Sequence, residues 1–171
     1  LIAILEKKDM PTPSQVRDVY QSLEDAQYAG FENRFRGLDE QVKEQQKDYI
    51  PYFKAADIVL DLGCGRGEFL ELLQQEGIKA RGIDANGQMI EICKEKGLNC
   101  EKADILQALA AYEDSSLGGI FSSQVVEHLP PSYLNRMIEI AYHKLSSSSY
   151  IIIETVNPLS VFSLVQIYFL D

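Results

Sequence analysis

The spacing of apolar positions divides the chain into two textures. From Pro13-Ser14 onward, Val16, Val19, Tyr20 and Leu23 recur at helical spacing. A second helical stretch from about Leu38 to Phe53 is charged on most faces and interrupted by Pro51, and Phe31-Glu32-Asn33-Arg34-Phe35-Arg36-Gly37 connects the two. From Asp57 the pattern changes. Ile58-Val59-Leu60-Asp61-Leu62 predicts a buried strand, followed by Phe69, Leu70, Leu72 and Leu73 at helical spacing. Further strands are expected at Lys79–Ile83, Leu98–Ala103, Gly119–Ser123 and Tyr150–Val156. Helices are expected at Met89–Lys96, stopped by Gly97, at Ile105–Tyr112, and from Pro130-Pro131-Ser132 to about Leu145. Apolar strands alternating with helices predict an α/β fold, a doubly wound, mostly parallel sheet covered on both faces. The expected organisation is a helical N-terminal cover over residues 1–56 and a sheet domain over 57–171.

Composition narrows the classes of partner. With 46% hydrophobic and 25% charged residues, the 171-residue chain has the profile of a folded domain and not a disordered one. Sixteen Lys and Arg against 26 Asp and Glu give a net charge of −10. Such a surface repels phosphate, and no basic tract interrupts it, so neither nucleic acid nor an anionic membrane is an expected partner. Cys64, Cys93 and Cys100 have no C-x-x-C spacing and no nearby His pair, which argues against a disulfide framework or a zinc site. Reduced thiols in the cytoplasm are the simpler reading. No run of about 18 apolar residues offers a membrane span, and Leu1–Leu5 is too short for a signal core.

The chemistry concentrates where strands end. Val59-Leu60-Asp61-Leu62-Gly63-Cys64-Gly65-Arg66-Gly67-Glu68-Phe69 is a strand, a glycine-rich turn and a helix start. Glycines permit positive φ and close ligand approach, and the helix N-terminus offers N–H donors. A dinucleotide G-x-G-x-x-G would need glycine at 68, where Glu68 stands, and this weakens an NAD reading. Acids recur at regular intervals: Asp84 comes 21 residues after Gly63, Asp104 20 later and Glu127 another 23 later. In a doubly wound sheet these positions share the carboxyl edge where ligands bind. Asp84 can accept both hydroxyls of a ribose, and Asp104 an exocyclic amine such as that of adenine. The set suits an adenosine-bearing ligand without polyphosphate.

With these residues in place, the sequence resembles the class I S-adenosylmethionine-dependent methyltransferases over roughly residues 57–158. D-L-G-C-G-R-G is similar to the family's first motif, G-I-D at 82–84 to its second, and A-D-I at 103–105 to its third. Ser123-Gln124-Val125-Val126-Glu127-His128-Leu129 resembles its fourth region, and Ile152–Pro158 its fifth. Where the family usually carries a Pro-Gly-Gly turn, this chain has Ser146-Ser147-Ser148-Ser149. The F-R-G connector and the E-T-x-N-P element resemble a prokaryotic subgroup associated with glycan or lipid-linked sugar modification. The resemblance implies a Rossmann-like methyltransferase fold and S-adenosylmethionine as cofactor. It also implies cofactor contacts from Asp61, Gly63, Gly65, Asp84, Asp104 and Gln124, with Arg36 reaching in from the N-terminal cover. The reaction implied moves a methyl group to an oxygen or nitrogen of a small-molecule or glycan acceptor.

Each assignment has a plainer counterpart. Asp84 and Asp104 can be helix caps, Asp61 can order the glycine turn, and Arg36 can be a surface residue. His128, beside Glu127, is either the general base for the acceptor or a packing residue next to Pro130-Pro131. Cys64 is expected to fill space under the turn, and Tyr28, Phe31 and Phe35 to pack the N-terminal helices. An NAD-dependent oxidoreductase and a non-catalytic S-adenosylmethionine-binding domain are the rival functions. Five strands are readable before Asn157, fewer than the family's usual sheet, so native residues beyond Asp171 are expected. Failing that, a homo-oligomer contact through the apolar segment Leu159–Leu170 is expected to cover the edge.

Overall fold

The computed structural model describes residues 12–17, 19–20, 22–23 and 39–157. The chain resolves into two compact units, Leu1–Gly37 and Leu38–Asp171. In the first, residues 13–17, 19–20 and 22–23 are helical, and the helix opens with a reciprocal cap. Thr12 N donates to Gln15 Oε1 at 2.8 Å, and Gln15 N donates back to Thr12 Oγ1 at 3.3 Å. Pro13 takes the first helical position, where a missing N–H costs nothing. Tyr28, Phe31, Phe35, Arg36 and the segment Leu159–Leu170 lie outside the described residues.

The second unit starts with α1 (Asp39–Gln46) and a 3-10 turn, Lys47–Phe53, that contains Pro51. The sheet then forms from β1 (Val59–Leu62), β2 (Ala80–Asp84), β3 (Cys100–Lys102), β4 (Leu117–Ser123) and β5 (Leu145–Glu154). Between them lie α2 (Glu68–Gln75), α3 (Gly87–Glu95), α4 (Ile105–Ala110) and α5 (Pro131–Lys144). All pairings are parallel and the strand order is β3-β2-β1-β4-β5. The chain builds outward from β1 to β3, then crosses back to lay β4 on the other side of β1. That reversal puts a crevice at the carboxyl ends of β1 and β4. The expected α/β doubly wound sheet is thus present.

Strand β1 is buried along its whole length, as a central parallel strand must be. Leu60 and Leu62 pack with Leu109 of α4 and Met137 and Ala141 of α5, while Val59 joins Phe53, Phe69, Leu73 and Phe121. Phe69 stacks on Phe121 with centroids 3.7 Å apart, and Phe53 meets both rings edge-on. Phe53 and Ile50 are the apolar residues that bind the 3-10 turn into this core. Residues 38–56, which the sequence pattern groups with the N-terminal cover, therefore pack with the sheet.

The largest departure from the expected strand boundaries is at β5. β5 begins at Leu145, five residues ahead of Tyr150. Leu117 pairs with Leu145 and Gly119 with Tyr150, so five steps along β5 oppose two along β4. The four serines form the resulting bulge, with Ser148 at φ 66° and the Ser146 and Ser149 hydroxyls 2.6 Å apart. Among the described residues, no helix is long and apolar enough to cross a membrane.

Candidate cofactor site

Leaving β1, the chain turns through Gly63, Gly65 and Gly67 at φ 75°, 52° and 82°, the left-handed region that glycine enters without strain. The turn is tied to β2. Gly63 N and Cys64 N both donate to Ile83 O, at 2.8 and 3.0 Å, and Gly67 N donates to Cys64 O at 2.9 Å. A Cβ on Gly63 would lie 2.3 Å from Val125 Cγ2, so this glycine lets the β4 exit close over the turn.

Asp84, the last residue of β2, completes the arrangement. Its Oδ2 accepts from Gly65 N at 2.9 Å and its Oδ1 from Asn86 N at 2.7 Å. Gly65 and Asp84 are thus brought together. These two bonds fix the carboxylate at the carboxyl edge of the sheet, beside the turn. Asn86 then caps α3, its Oδ1 accepting from Gln88 N and Met89 N. Sequence reasoning overlooked Asn86, although an Asn just before a helix is a recognisable cap.

Asp61 and Glu68 flank the turn and are almost wholly buried, 3% and 1% exposed. With Asp84 they bring three carboxyl groups to the turn, while Arg66 and Lys96 bring cationic side chains to its other side. Cys64 fills space below, against Gly82, and its thiol is pushed well up by a hydrogen bond to Cys93 and by burial. It stays protonated and non-nucleophilic.

Asp104 lies further out, after β3. It caps α4 through Oδ1 to Gln107 N at 3.1 Å, and its Oδ2 accepts from the Tyr133 hydroxyl at 2.7 Å. Burial, and then this bond, push the Tyr133 phenol up to about 12, so it remains a neutral donor. Tyr133 comes from α5, a partner that no local pattern around Asp104 announces.

Beyond β4, Gln124 adopts φ 55° and its N–H donates to Glu154 O at 2.9 Å. The next residues form a 3-10 turn, Val126–His128. Glu127 is half-buried and its Oε2 accepts from Thr155 Oγ1 at 2.8 Å, which ties the β4 and β5 exits together. His128 is exposed. The two neighbours are therefore differently placed, Glu127 half-buried and engaged across the sheet edge and His128 more exposed. Among the described residues, no cluster of three or more His, Cys, Asp or Glu side chains could hold a metal ion.

Residues 45–148 match the model of a family described as methionine biosynthesis protein MetW. The chain belongs to the MetW family. A structure of an S-adenosylmethionine-dependent methyltransferase from Archaeoglobus fulgidus is 46% identical, with a TM-score of 0.80, over 83% of this chain and 64% of that one. The chain thus spans just under two thirds of that relative's length. An S-adenosylmethionine-dependent methyltransferase from Mesorhizobium loti is 22% identical, with a TM-score of 0.57, over 72% of this chain and 55% of the other. A Haemonchus contortus phosphoethanolamine N-methyltransferase, solved with phosphoethanolamine and S-adenosylhomocysteine, has a TM-score of 0.60 at 12% identity, over 78% and 32%. These last two share the fold. None of the curated proteins matches significantly. Membership in MetW places the chain within the class I methyltransferase fold family, whose cofactor is S-adenosylmethionine. In the MetW chain Glu68 stands where a dinucleotide fingerprint needs glycine.

Proposed function

We propose that this chain is the catalytic domain of an S-adenosylmethionine-dependent methyltransferase that methylates an oxygen or nitrogen of a small-molecule or glycan acceptor. The observation that carries the reading is Asp84, held at the end of β2 by the Gly65 and Asn86 amides beside the glycine turn. When bound, the cofactor supplies an electrophilic methyl on a sulfonium that is already a good leaving group. The protein's work is alignment and exclusion of water. In this reading Gly63 and Gly65 let the methionyl part approach the backbone, Asp84 holds the ribose, and Asp104 accepts from the adenine amine. Asp61 and Gln124 order the two strand exits that border the crevice.

A hydroxyl acceptor must lose its proton as the new bond to carbon forms. His128 is the base: it lies in the 3-10 turn that follows β4 at the carboxyl edge of the sheet, and imidazole is the commonest general base. Glu127, tied to Thr155, fixes the loop that presents it. Three free cysteines, two of them buried, support work in a reducing cytoplasm. The test is transfer of a labelled methyl group to an acceptor panel. His128→Ala should lower turnover by roughly 10²–10⁴-fold while S-adenosylhomocysteine affinity stays intact. Full turnover in that variant would return His128 to a packing role. Cofactor binding without transfer to any acceptor would favour a non-catalytic binding domain.

A further inference from the structure

The glycine turn is gripped from a second side, by groups that none of the family motifs contains. Cys93, in α3, places its Sγ 3.2 Å from Gly65 O. Lys96, which ends the same helix, donates from Nζ to Arg66 O at 3.0 Å. That ammonium also lies 2.6 Å from Glu71 Oε1 in α2 and 3.7 Å from Asp39 Oδ2 in α1. Arg66 Nη1 is 3.6 Å from the other oxygen of Asp39, and Lys43 Nζ is 2.6 Å from Glu71 Oε2. One cation therefore joins the turn, the helix that follows it and the helix that opens the unit.

We propose that Lys96 is a positioning residue for the cofactor turn: it holds the Arg66 carbonyl on the α3 side and so fixes which N–H groups the turn presents to ligand. The inference rests on the turn being the cofactor site. The peptides of the turn have two ends to satisfy. Asp84 accepts from the Gly65 N–H, Cys93 Sγ donates to the Gly65 carbonyl and Lys96 Nζ donates to the Arg66 carbonyl. The Arg66–Gly67 peptide, between glycines at φ 52° and 82°, is held at its N–H by Cys64 O and at its carbonyl by Lys96, so the lysine is one of its two tethers. Without Lys96, that peptide keeps only the bond to Cys64, and its carbonyl is less firmly turned away from the ligand. The Lys96 ammonium is also held by the Glu71 carboxylate, which keeps it aimed at the turn.

The test compares wild type, Lys96→Gln, Lys96→Arg and Lys94→Gln. Lys94 is the neighbouring exposed lysine, paired with Glu91. Two readouts are used: calorimetric affinity for S-adenosylhomocysteine, and hydrogen exchange of residues 63–68 in the ligand-free chain. Lys96→Gln should weaken binding by about tenfold, the loss expected for one hydrogen bond to a charged group, and should speed exchange across the turn. Lys96→Arg should restore most of both, and Lys94→Gln should change neither. Wild-type affinity and exchange in Lys96→Gln would overturn the positioning role while leaving the cofactor reading intact. Absence of binding by wild type would overturn the cofactor reading, and this inference with it.

Discussion

Replacing Asp84 with alanine separates the two duties of that carboxylate. In the ligand-free protein it accepts from Gly65 N at 2.9 Å and Asn86 N at 2.7 Å. Gly65 is buried, so alanine leaves an amide that water reaches poorly, at a stability loss of roughly 1–3 kcal/mol. Asn86 keeps its cap of α3 through its own side chain, which limits the damage to the turn. In the complex, the same change removes the charged acceptor of the ribose hydroxyls. That loss is about 1.5–3 kcal/mol, or roughly 10- to 150-fold in affinity for S-adenosylhomocysteine. Denaturant titration reads the first effect and calorimetry the second. A 2′,3′-dideoxy analogue of the ligand tells ribose contact from turn distortion: it should bind wild type weakly, and Asp84→Ala should cost it less than it costs S-adenosylhomocysteine. Wild-type affinity in the variant, or an additive further loss with the analogue, would refute the ribose assignment.

Gly63→Ala puts a Cβ 2.3 Å from Val125 Cγ2 at a φ of 75°, and should destabilise the fold by about 1–3 kcal/mol in urea; an unchanged midpoint would contradict the close approach of the β4 exit. Phe69→Ala removes the ring stacked on Phe121 at 3.7 Å and should cost about 3–5 kcal/mol by the same assay, a loss below 1 kcal/mol showing that the aromatic cluster is not central. Burial pushes the Glu71 carboxyl up, but its bonds to Lys43 and Lys96 outweigh this and hold it below the ordinary value. Its folded form therefore binds its proton less readily than the unfolded one. The stabilisation is present above the unfolded value and is lost as pH falls through the folded one. Glu71→Gln should accordingly flatten the acid side of a stability-pH curve, and a curve parallel to wild type would contradict the pairing.

Much of the sheet was legible because parallel strands buried on both faces are continuous apolar runs, and helices between them carry a different period. Asp84 and the three glycines were legible for the same local reason, since strand, turn and helix follow one another directly. Features made by distant partners were not. The start of β5 depends on how four serines bulge against Leu117–Gly119, and polar serines give no strand signal of their own. The 3-10 turn hides its buried face behind charges, so Phe53 gave no sign that it enters the aromatic core. Asp104 was expected at the adenine or as a cap. The cap is present, and the added bond to Tyr133 comes from a helix 29 residues away.

The central claim is that the crevice between the β1 and β4 exits takes S-adenosylmethionine. Calorimetric titration of the chain with S-adenosylhomocysteine, and separately with NAD, tests it most directly. The account predicts saturable one-to-one binding of S-adenosylhomocysteine that Asp84→Ala weakens, and no binding of NAD. Binding of NAD with no heat from S-adenosylhomocysteine would contradict it.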